Sequence, residues 1–312
     1  MQSAGLSIRT LDPGRDYPRV AELRNLFEAE QVTAEQLRQR DVERRPEDFF
    51  ISLVGEMKGH IVAAGSAYRT LWYEPGKYQI VARVDPARQR KGYGSALLNR
   101  LEQAAVSDGA TCLEALTSDR GRTGLAFLEA RGYRLVAHCY ESILSLTDFD
   151  PEAFPAPAIP GLRIFPFSET AMDEEARRKL WDVNVETSRD EPHNDPNHRP
   201  AFEQFQTSVI EASWFDPEGQ FIASLGDEWV GLCAVGEIYK GSLYNLFTGV
   251  RRAYRGKGIA KTLKLVAAKF AKESGAPYIR TSNDSRNAPM LAINTWLGYE
   301  NEPGFYMAQK SV

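Results

Sequence analysis

The sequence predicts an α+β protein built from two similar domains in tandem. The chain has 312 residues, about twice the ordinary length of one domain. Residues 84–97 align without a gap with residues 250–263, and the offset of 166 residues continues as far as Tyr133 and Tyr299. Strand-like and helix-like patterns alternate around both copies. A repeat of domain size indicates duplicated domains rather than a solenoid of short units.

Composition is that of an ordinary globular protein. Hydrophobic residues make up 43% and charged residues 26%, and no apolar run reaches the roughly 18 residues that a membrane-spanning helix needs. The net charge is -4, whereas proteins that bind duplex nucleic acid usually carry a basic excess. The N-terminus lacks the basic start and apolar stretch of a secretion signal. We therefore expect a cytoplasmic protein whose partners include neither nucleic acid nor membrane.

Metal-ligating residues do not form a recognisable pattern. Cys112, Cys139 and Cys233 have no CxxC spacing and are too few for a disulfide framework. His193 and His198 lie in a segment interrupted by proline and asparagine, for which an ordinary polar loop is the alternative to a metal site. The sequence therefore predicts no metal.

A proline-rich segment, residues 149–160, separates the two halves. Proline has no backbone N–H, so this segment is not expected to sustain a helix or a strand ladder. The expected boundaries are residues 6–148 for the N-terminal domain, 149–160 for the linker and 161–312 for the C-terminal domain. Two such domains can pack as a pseudo-dimer, so we expect a monomer.

Both halves are predicted to contain the same order of elements. A short strand and helical segments come first, then a hairpin, then a long strand that leads into the glycine-rich turn. An amphipathic helix follows the turn, and a strand, a helix and a closing strand complete the domain. The repeated ranges are 78–84 and 243–250 for the long strand, 93–107 and 259–274 for the helix, and 135–146 and 304–309 for the closing strand.

The repeated glycine-rich turn joins the end of a strand to the start of a helix. The first amides of a helix point out of its N-terminus, and the helix dipole adds about half a positive charge there, which suits a phosphate group. A P-loop and a dinucleotide fold are disfavoured, because neither copy ends in Gly-Lys-Ser/Thr and GxGxxG is absent. For one isolated copy, a loop with solvated cations is the alternative. The predicted anion-binding residues are Gln89, Arg90, Lys91, Gly92, Tyr93 and Gly94, and Arg255, Gly256, Lys257, Gly258, Ile259 and Ala260.

These turns resemble the acyl-CoA motif of the GNAT acetyltransferase family, Arg/Gln-x-x-Gly-x-Gly/Ala. The matching residues are Gln89, Gly92 and Gly94 in the first copy and Arg255, Gly258 and Ala260 in the second. The resemblance extends over essentially the whole chain. The chain as a whole is similar to bacterial tandem GNAT proteins, an architecture that mycothiol synthase shares.

The resemblance implies two tandem GNAT folds, each with a mixed, mainly antiparallel sheet that is splayed at the acyl-CoA site and flanked by helices. It implies acetyl-CoA as cosubstrate, with the pantetheine arm between the strand that ends at Val84 or Val250 and the next strand. Backbone amides near these two residues would hold the thioester carbonyl and stabilise an oxyanion. The implied partners are acetyl-CoA and a small-molecule amine acceptor.

Family likeness also favours the C-terminal domain as the catalytic one. In the family, an asparagine after the second strand often contacts the cofactor, and a tyrosine seven residues later often protonates the departing CoA thiolate. The C-terminal domain has Asn287 and Asn294 at these positions, whereas the N-terminal domain has Gly121 and Leu128. The general acid of the family is therefore missing from both halves.

Three residues of the C-terminal domain are catalytic candidates: Asn294, Tyr306 and Glu237. Tyr306 is a possible substitute acid, although an aromatic in a closing strand, like its repeat mate Tyr140, is more often a core or cleft-wall residue. An amine acceptor must lose a proton before it attacks, and a carboxylate usually assists. Residues 243–249 contain no acid, so Glu237 on the neighbouring strand is the candidate base, with a solvated or structural role as the alternative.

The sequence thus predicts an acetyl-CoA-dependent N-acetyltransferase that transfers acetyl to a small amine by direct attack on the thioester. Residues 188–200, which have no counterpart in the first half, are expected to form an acceptor-binding loop. Two alternatives stay open: a non-catalytic acyl-CoA sensor or scaffold, and an O-acyltransferase.

Overall fold

The computed structural model describes residues 5–27, 31–42, 44–69, 74–192, 194–239 and 242–312. The chain forms two compact units, a first unit of residues 1–136 with 306–312 and a second unit of residues 137–305. These units differ from the expected domains at the closing strands, because 137–148 join the second unit and 306–312 the first. Each closing strand therefore completes the unit formed mainly by the other half of the chain.

The first unit is a mainly antiparallel sheet with helices. Its strand order is β1-β2-β3-β4-β5, followed by the end of β12, and only the β4–β5 pair is parallel among the pairs described. The strands are β1 (Ser7–Thr10), β2 (Phe49–Met57), β3 (His60–Arg69), β4 (Lys77–Val84), β5 (Cys112–Ser118) and the end of β12 (Glu300–Ser311). The helices are α1 (Tyr17–Asn25), α2 (Ala34–Val42), α3 (Tyr93–Ser107) and α4 (Thr123–Glu129).

The second unit repeats this arrangement. Its strand order is β6-β11-β10-β9-β8-β7, with the start of β12 beside β6, and β10 and β11 are parallel. The strands are β6 (Arg134–Ser145), β7 (Leu162–Pro166), β8 (Gln220–Leu225), β9 (Glu228–Tyr239), β10 (Ser242–Val250) and β11 (Tyr278–Asp284), and the helices are α5 (Glu174–Ser188), α6 (Phe202–Phe205), α7 (Ile259–Glu273) and α8 (Ala288–Leu297). The predicted α+β class is confirmed. In the described ranges, no helix is long and apolar enough to span a membrane.

The helix after each glycine-rich turn carries the core of its unit. Its buried residues recur every three or four positions, so they form one apolar stripe that packs on the sheet. In the first unit they are Leu97, Leu98, Leu101 and Ala105, packed with Ile80 and Leu113. In the second unit they are Leu263, Ala267, Ala268 and Ala271, packed with Val235 and Ile279. Burial of this stripe fixes the start of the helix, and hence the turn, against the sheet.

The proline-rich linker is more ordered than its composition indicated. Residues Pro151–Ala153 form one 3-10 turn, because Asp150 accepts a hydrogen bond from the Glu152 amide and proline suits the first position. Phe154 then stacks on Phe149 with ring centroids 5.2 Å apart and meets Trp296 of α8 edge-on at 5.5 Å. The linker therefore packs as part of the second unit.

A buried lysine distinguishes the core of the second unit. Lys264 lies on the buried face of α7 and is 1% exposed, whereas its repeat position in α3 holds Leu98. Its Nζ atom is 4.8 Å from the ring centroid of Tyr299. Desolvation lowers the pKa of Lys264 to about 8, because burial disfavours the charged ammonium.

Replacement of Lys264 by leucine should stabilise the protein at neutral pH. Since the folded-state pKa is lowered from 10.5 to about 8, the unfolded chain binds this proton more tightly, and stability falls as the pH drops from about 10.5 to about 8. We expect Lys264→Leu to raise the free energy of unfolding by roughly 1 to 3 kcal/mol at pH 7 and by much less at pH 10. Urea denaturation followed by tryptophan fluorescence at the two pH values measures both.

Lys269→Leu is the matched control, because Lys269 is an exposed lysine on the same helix. It should change stability by less than about 0.5 kcal/mol at either pH. A gain for Lys264→Leu that is equal at pH 7 and pH 10 would show that the ammonium is not destabilised by burial.

Candidate functional site

In the second unit, the two parallel strands β10 and β11 separate early. Their ladder contains two residue pairs, 243–244 with 279–280, although β10 stays paired with β9 as far as Val250. In the first unit the equivalent strands β4 and β5 stay paired for four residues, 77–80 with 112–115. A cleft therefore opens between β10 and β11 directly after Tyr244, two positions earlier than in the first unit.

A β-bulge lies where the cleft opens. The β9–β10 register shifts between Asn245 and Phe247, and the buried Asn245 side chain donates to the carbonyls of Ala234 and Phe247, both at 3.0 Å. Across the cleft, Thr281 Oγ1 donates to the Asn245 carbonyl at 3.0 Å. Side chains thus satisfy backbone groups that a continued ladder would have paired. Bulges of this kind re-aim backbone and side chains, frequently beside active sites.

The second glycine-rich turn follows β10 and starts α7. Gly258 is the N-cap of α7 with φ +92°, and Gly256 has φ +76°, so both residues adopt the left-handed conformation that favours glycine. Arg255 Nε donates to the carbonyl of Val250 at 2.9 Å, which ties the turn to the end of its strand. Lys257 is exposed beside it. The first amides of Ile259 and Ala260 therefore open toward a cationic rim, which fits a pyrophosphate.

The first turn has the same construction. Gln89 Nε2 donates to the Val84 carbonyl at 3.2 Å, in the place of the bond from Arg255 to Val250. Gly92 caps α3 with φ +82°, and the exposed Arg90, at the repeat position of Gly256, adopts φ +61° without being glycine. A Cβ added at Gly94 would lie 3.4 Å from Phe127 and Val84, so this position admits alanine at most, as at Ala260. Lys91 is exposed, and Tyr93 is buried in the first turn of the helix.

Asp190 ties the predicted acceptor-binding segment to the second turn. Its carboxylate accepts hydrogen bonds from Arg252 Nε at 3.0 Å and from the guanidinium of Arg255. Both arginines hold the pKa of Asp190 below its usual range, and the hydrogen bond from Arg252 contributes most. Farther along the segment, Arg286 Nη2 donates to the Pro192 carbonyl at 3.2 Å. The segment of residues 188–200 is therefore anchored to residues that surround the anion site.

Ion pairs also connect each turn to the first long helix of its unit, with opposite signs in the two units. Arg251, the first residue after β10, pairs with Asp182 and Glu186 of α5. Its repeat position holds Asp85, which pairs with Arg19 of α1 at 2.6 Å. The basic residue of the ion pair is on the turn in the second unit and on the helix in the first. This fixes the distance between helix and turn in both.

Pro157 of the linker borders the second turn. A Cβ added at Gly258 would lie 2.6 Å from Pro157 Cγ, so the linker backs directly onto the N-cap of α7. Gly258 is therefore required both by its positive φ and by this close approach. Any side chain at position 258 would displace the linker as well as obstruct an anion.

The two asparagines selected by family likeness have structural partners. Asn287 is the N-cap of α8 and its side chain accepts from the Met290 amide at 3.4 Å. Asn294 is buried, and its Nδ2 donates to Asn283 Oδ1 at 2.7 Å, while its Oδ1 is buried without a hydrogen-bond partner among the described residues. A carboxamide does not titrate near neutrality, so Asn294 can orient a polar group but cannot supply a proton.

The other two catalytic candidates lie in different places. Glu237 is exposed on β9, opposite Leu243 in register. Tyr306 belongs to the first unit and packs against its core. Because the closing strands are exchanged, the second unit contains Tyr140 instead, which is opposite Asn283 and makes an edge-on contact with His138 at 4.6 Å. Tyr306 therefore does not lie within the unit that contains Asn287 and Asn294.

The structure adds a half-buried carboxylate that sequence reasoning did not select. Glu141 of β6 is opposite Ser282 of β11 and accepts a hydrogen bond from Tyr244 Oη at 2.9 Å. Desolvation raises the pKa of Glu141 above its usual range. Glu141 is on the closing strand of the first half of the sequence, so repeat alignment assigned it to the N-terminal domain. Sequence reasoning therefore did not consider Glu141 as part of the second site.

No group of three or more metal-ligating side chains occurs in the described ranges. His193 lies outside the described residues. The His198 backbone amide donates to the Asp195 carbonyl at 3.1 Å, which makes a turn in the polar segment.

The family profile described as Acetyltransferase (GNAT) family matches residues 17–133 and 180–298. The fold and the two turns thus define a protein with two acyltransferase domains. The chain belongs to the GNAT acetyltransferase family, and the predicted tandem GNAT architecture is confirmed.

Two curated relatives are named mycothiol acetyltransferase. The protein from Brachybacterium faecium is 27% identical over 233 residues, which cover 72% of this chain and 66% of that protein. The protein from Catenulispora acidiphila is 27% identical over 236 residues, covering 72% and 70%. The match to the first relative thus covers slightly less than two thirds of its length.

Solved structures show the same fold over nearly the whole chain. A GCN5-related N-acetyltransferase from Sphaerobacter thermophilus has a TM-score of 0.76 with 20% identity and covers 99% of this chain and 96% of its own. A tandem GNAT protein from the clavulanic acid biosynthesis pathway has a TM-score of 0.72 with 19% identity and covers 98% of both chains. At these identities the similarity establishes the fold.

Removal of the charge of Asp190 should strengthen acetyl-CoA binding at the second turn. The Asp190 carboxylate pairs with the guanidinium groups of Arg252 and Arg255, and it would repel the phosphate oxygens of acetyl-CoA bound beside them. We expect Asp190→Asn to lower the Kd about fivefold at low ionic strength, with less effect in high salt. Isothermal titration calorimetry with acetyl-CoA at two salt concentrations measures this change.

Asp195→Asn is the matched control, since Asp195 is an exposed acid of the same segment. It should leave the Kd within about twofold of the wild-type value. Weaker binding by Asp190→Asn would instead mean that the carboxylate organises the two arginines for the anion.

Proposed function

We propose that this protein is an acetyl-CoA-dependent N-acetyltransferase that transfers acetyl to a small-molecule amine by direct attack on the thioester. The observation that carries the proposal is the cleft between β10 and β11, which opens after Tyr244 and leads along β10 to a cationic helix N-terminus. A thioester needs such a slot for its pantetheine arm, and a pyrophosphate needs such a terminus. The GNAT family membership and the relatives' names support acetyl transfer.

The C-terminal domain is proposed as the catalytic one. Its cleft starts two residues earlier than the equivalent cleft of the first unit. In the first unit this place is filled by hydrogen bonds, since Gln79 Nε2 donates to Glu114 Oε1 at 3.0 Å and Gln309 Nε2 to Glu114 Oε2 at 2.7 Å. We therefore assign thioester chemistry to the second unit and treat the first turn as a second acetyl-CoA site or a structural element.

Within the second unit, the residues from Arg255 to Ala260 would hold the pyrophosphate, and the backbone of β10 between the bulge at Asn245 and Val250 would hold the thioester carbonyl. On the other side of the cleft, Asn287 is the N-cap of α8 and Asn294 lies within that helix. These residues would bind and orient acetyl-CoA, which supplies the acetyl group as an activated thioester. Oxyanion stabilisation by oriented backbone amides would then favour the tetrahedral adduct.

The amine acceptor is proposed to enter from the side of α5 and residues 188–200. Asp182, Glu186 and Asp190 line one side of this region, and all three are held by arginines at the turn. Binding of acetyl-CoA at Arg255 would therefore alter the anchorage of the acceptor segment. A hydroxyl acceptor is the alternative, and an amine and alcohol panel assayed by CoA thiol release separates the two.

Two charge-reversal variants would show which turn binds acetyl-CoA. Lys91 and Lys257 occupy the same repeat position and are both exposed, so either substitution leaves the core unchanged. We expect Lys257→Glu to weaken acetyl-CoA binding at the catalytic site at least tenfold and to lower turnover at limiting acetyl-CoA, because a cation beside the phosphates becomes an anion. Calorimetry gives the Kd and the number of sites.

Lys91→Glu serves as the control for Lys257→Glu. It should leave turnover unchanged and remove only a second binding event, if one is present in the wild type. Loss of turnover in Lys91→Glu with normal activity in Lys257→Glu would instead assign the active site to the first unit. Absence of acetyl-CoA binding by the wild type would overturn the proposed function.

A further inference from the structure

A tyrosine and a glutamate meet at the floor of the β10–β11 cleft. Tyr244 is the last residue of β10 that pairs with β11, and it is opposite Arg280. Its hydroxyl reaches over β11 and donates to Glu141 Oε2 on β6 at 2.9 Å. The carboxylate is therefore positioned one strand away from the end of the ladder, where the slot for the thioester begins.

We propose that Glu141 is the general base that removes the proton from the acceptor amine, and that Tyr244 is a positioning residue that holds its carboxylate at the floor of the cleft. This inference rests on the proposed acetyl transfer and names the group that would activate the acceptor. Glu237, the carboxylate selected from the sequence, lies opposite Leu243 and is exposed, whereas Glu141 is half-buried and held by the Tyr244 hydroxyl.

The surroundings of Glu141 raise the affinity of its carboxylate for a proton. Desolvation raises its pKa, whereas hydrogen bonds from the hydroxyls of Tyr244 and Ser282 and the charge of Arg280 oppose that rise. Glu302 of β12 raises it further, and it also pairs with Arg280. A carboxylate with a raised pKa binds a proton more strongly than an ordinary one, which favours proton transfer from an acceptor.

The proposed step is balanced in atoms and charge. Glu141 accepts one proton from the ammonium form of the acceptor, and the neutral nitrogen attacks the thioester carbonyl carbon. A C–N bond forms and the C–S bond breaks, and the proton that the nitrogen of the tetrahedral adduct loses goes to the departing CoA sulfur. The products are the amide and CoA thiol, and Glu141 returns its proton to solvent.

The first unit lacks this pair. Its repeat positions for Glu141 and Tyr244 are Met307 and Tyr78, both buried. The Tyr78 hydroxyl donates instead to Asp108 Oδ2 at 2.6 Å. The repeat position of Glu141 therefore holds a thioether in the first unit, and the nearby Glu114 carboxylate is bound by the amides of Gln79 and Gln309. This agrees with catalysis in the second unit alone.

The test combines Glu141→Gln with a pH profile. With the amine that reacts best in a panel of amino sugars, polyamines, amino acids and arylalkylamines, CoA thiol release should fall at least about 100-fold at pH 7. The wild-type kcat/KM should be nearly level above neutrality, because the base deprotonates bound ammonium. In Glu141→Gln it should rise about tenfold per pH unit up to the pKa of the amine, because only free amine reacts.

Two further variants separate a base from a structural residue. Glu141→Asp should restore part of the activity and the level profile. Glu302→Gln removes a nearby carboxylate but leaves the Tyr244 contact, so it should keep the level profile. Tyr244→Phe should lower kcat roughly tenfold without changing the Kd for acetyl-CoA. Calorimetry with acetyl-CoA on each variant verifies that the cleft is folded.

The outcomes distinguish this inference from the proposed function. Turnover by the wild type with an unchanged rate and pH profile in Glu141→Gln overturns the assignment of the base alone. Acetyl-CoA binding without turnover of any amine overturns amine transfer together with its base. A wild type that does not bind acetyl-CoA overturns the proposed function from which the inference starts.

Discussion

Keeping two neighbouring parallel strands apart is the constraint on which the second unit depends. Backbone groups that face an open cleft lose their ladder partners, and buried groups left unpaired are costly. Asn245 and Thr281 supply replacement hydrogen bonds from their side chains at the opening. In the first unit, Gln79 at the Asn245 position binds Glu114 instead, and the strands stay paired for longer. The same repeat position thus carries an amide side chain in both units. It stabilises a cleft that opens early in the second unit and a longer strand ladder in the first.

The connection between the anion-binding turn and the helices before it is the second recurring theme. Arg251 reaches the acids of α5, while Asp85 at the same repeat position reaches Arg19 of α1. The geometry is retained although the charges are exchanged, because an ion pair holds two elements equally well in either order. The consequence for the second unit is a turn with additional arginines, which three acids at α5 and just after it hold in place.

Local features of this chain were predictable and pairings between distant segments were not. Helical periodicity located α3 and α7, and the glycines at 92 and 258 located the turns, because each depends on neighbouring residues. The exchange of closing strands depends on contacts between residues far apart in sequence, so the repeat alignment assigned Tyr306 to the second unit. For the same reason it missed Glu141, whose partner Tyr244 follows it by 103 residues.

The exchange also has a consequence for how the duplicated chain can diverge. Residues 137–145 of β6 come from the first half of the sequence but complete the sheet of the second unit. A carboxylate at the floor of the second cleft is therefore encoded in the first half, next to the Pro-rich segment that backs onto Gly258. The second unit cannot be separated from the first half without losing this strand. The first unit in turn takes residues 306–312 from the end of the chain, so neither unit is encoded by one half of the duplicated sequence alone.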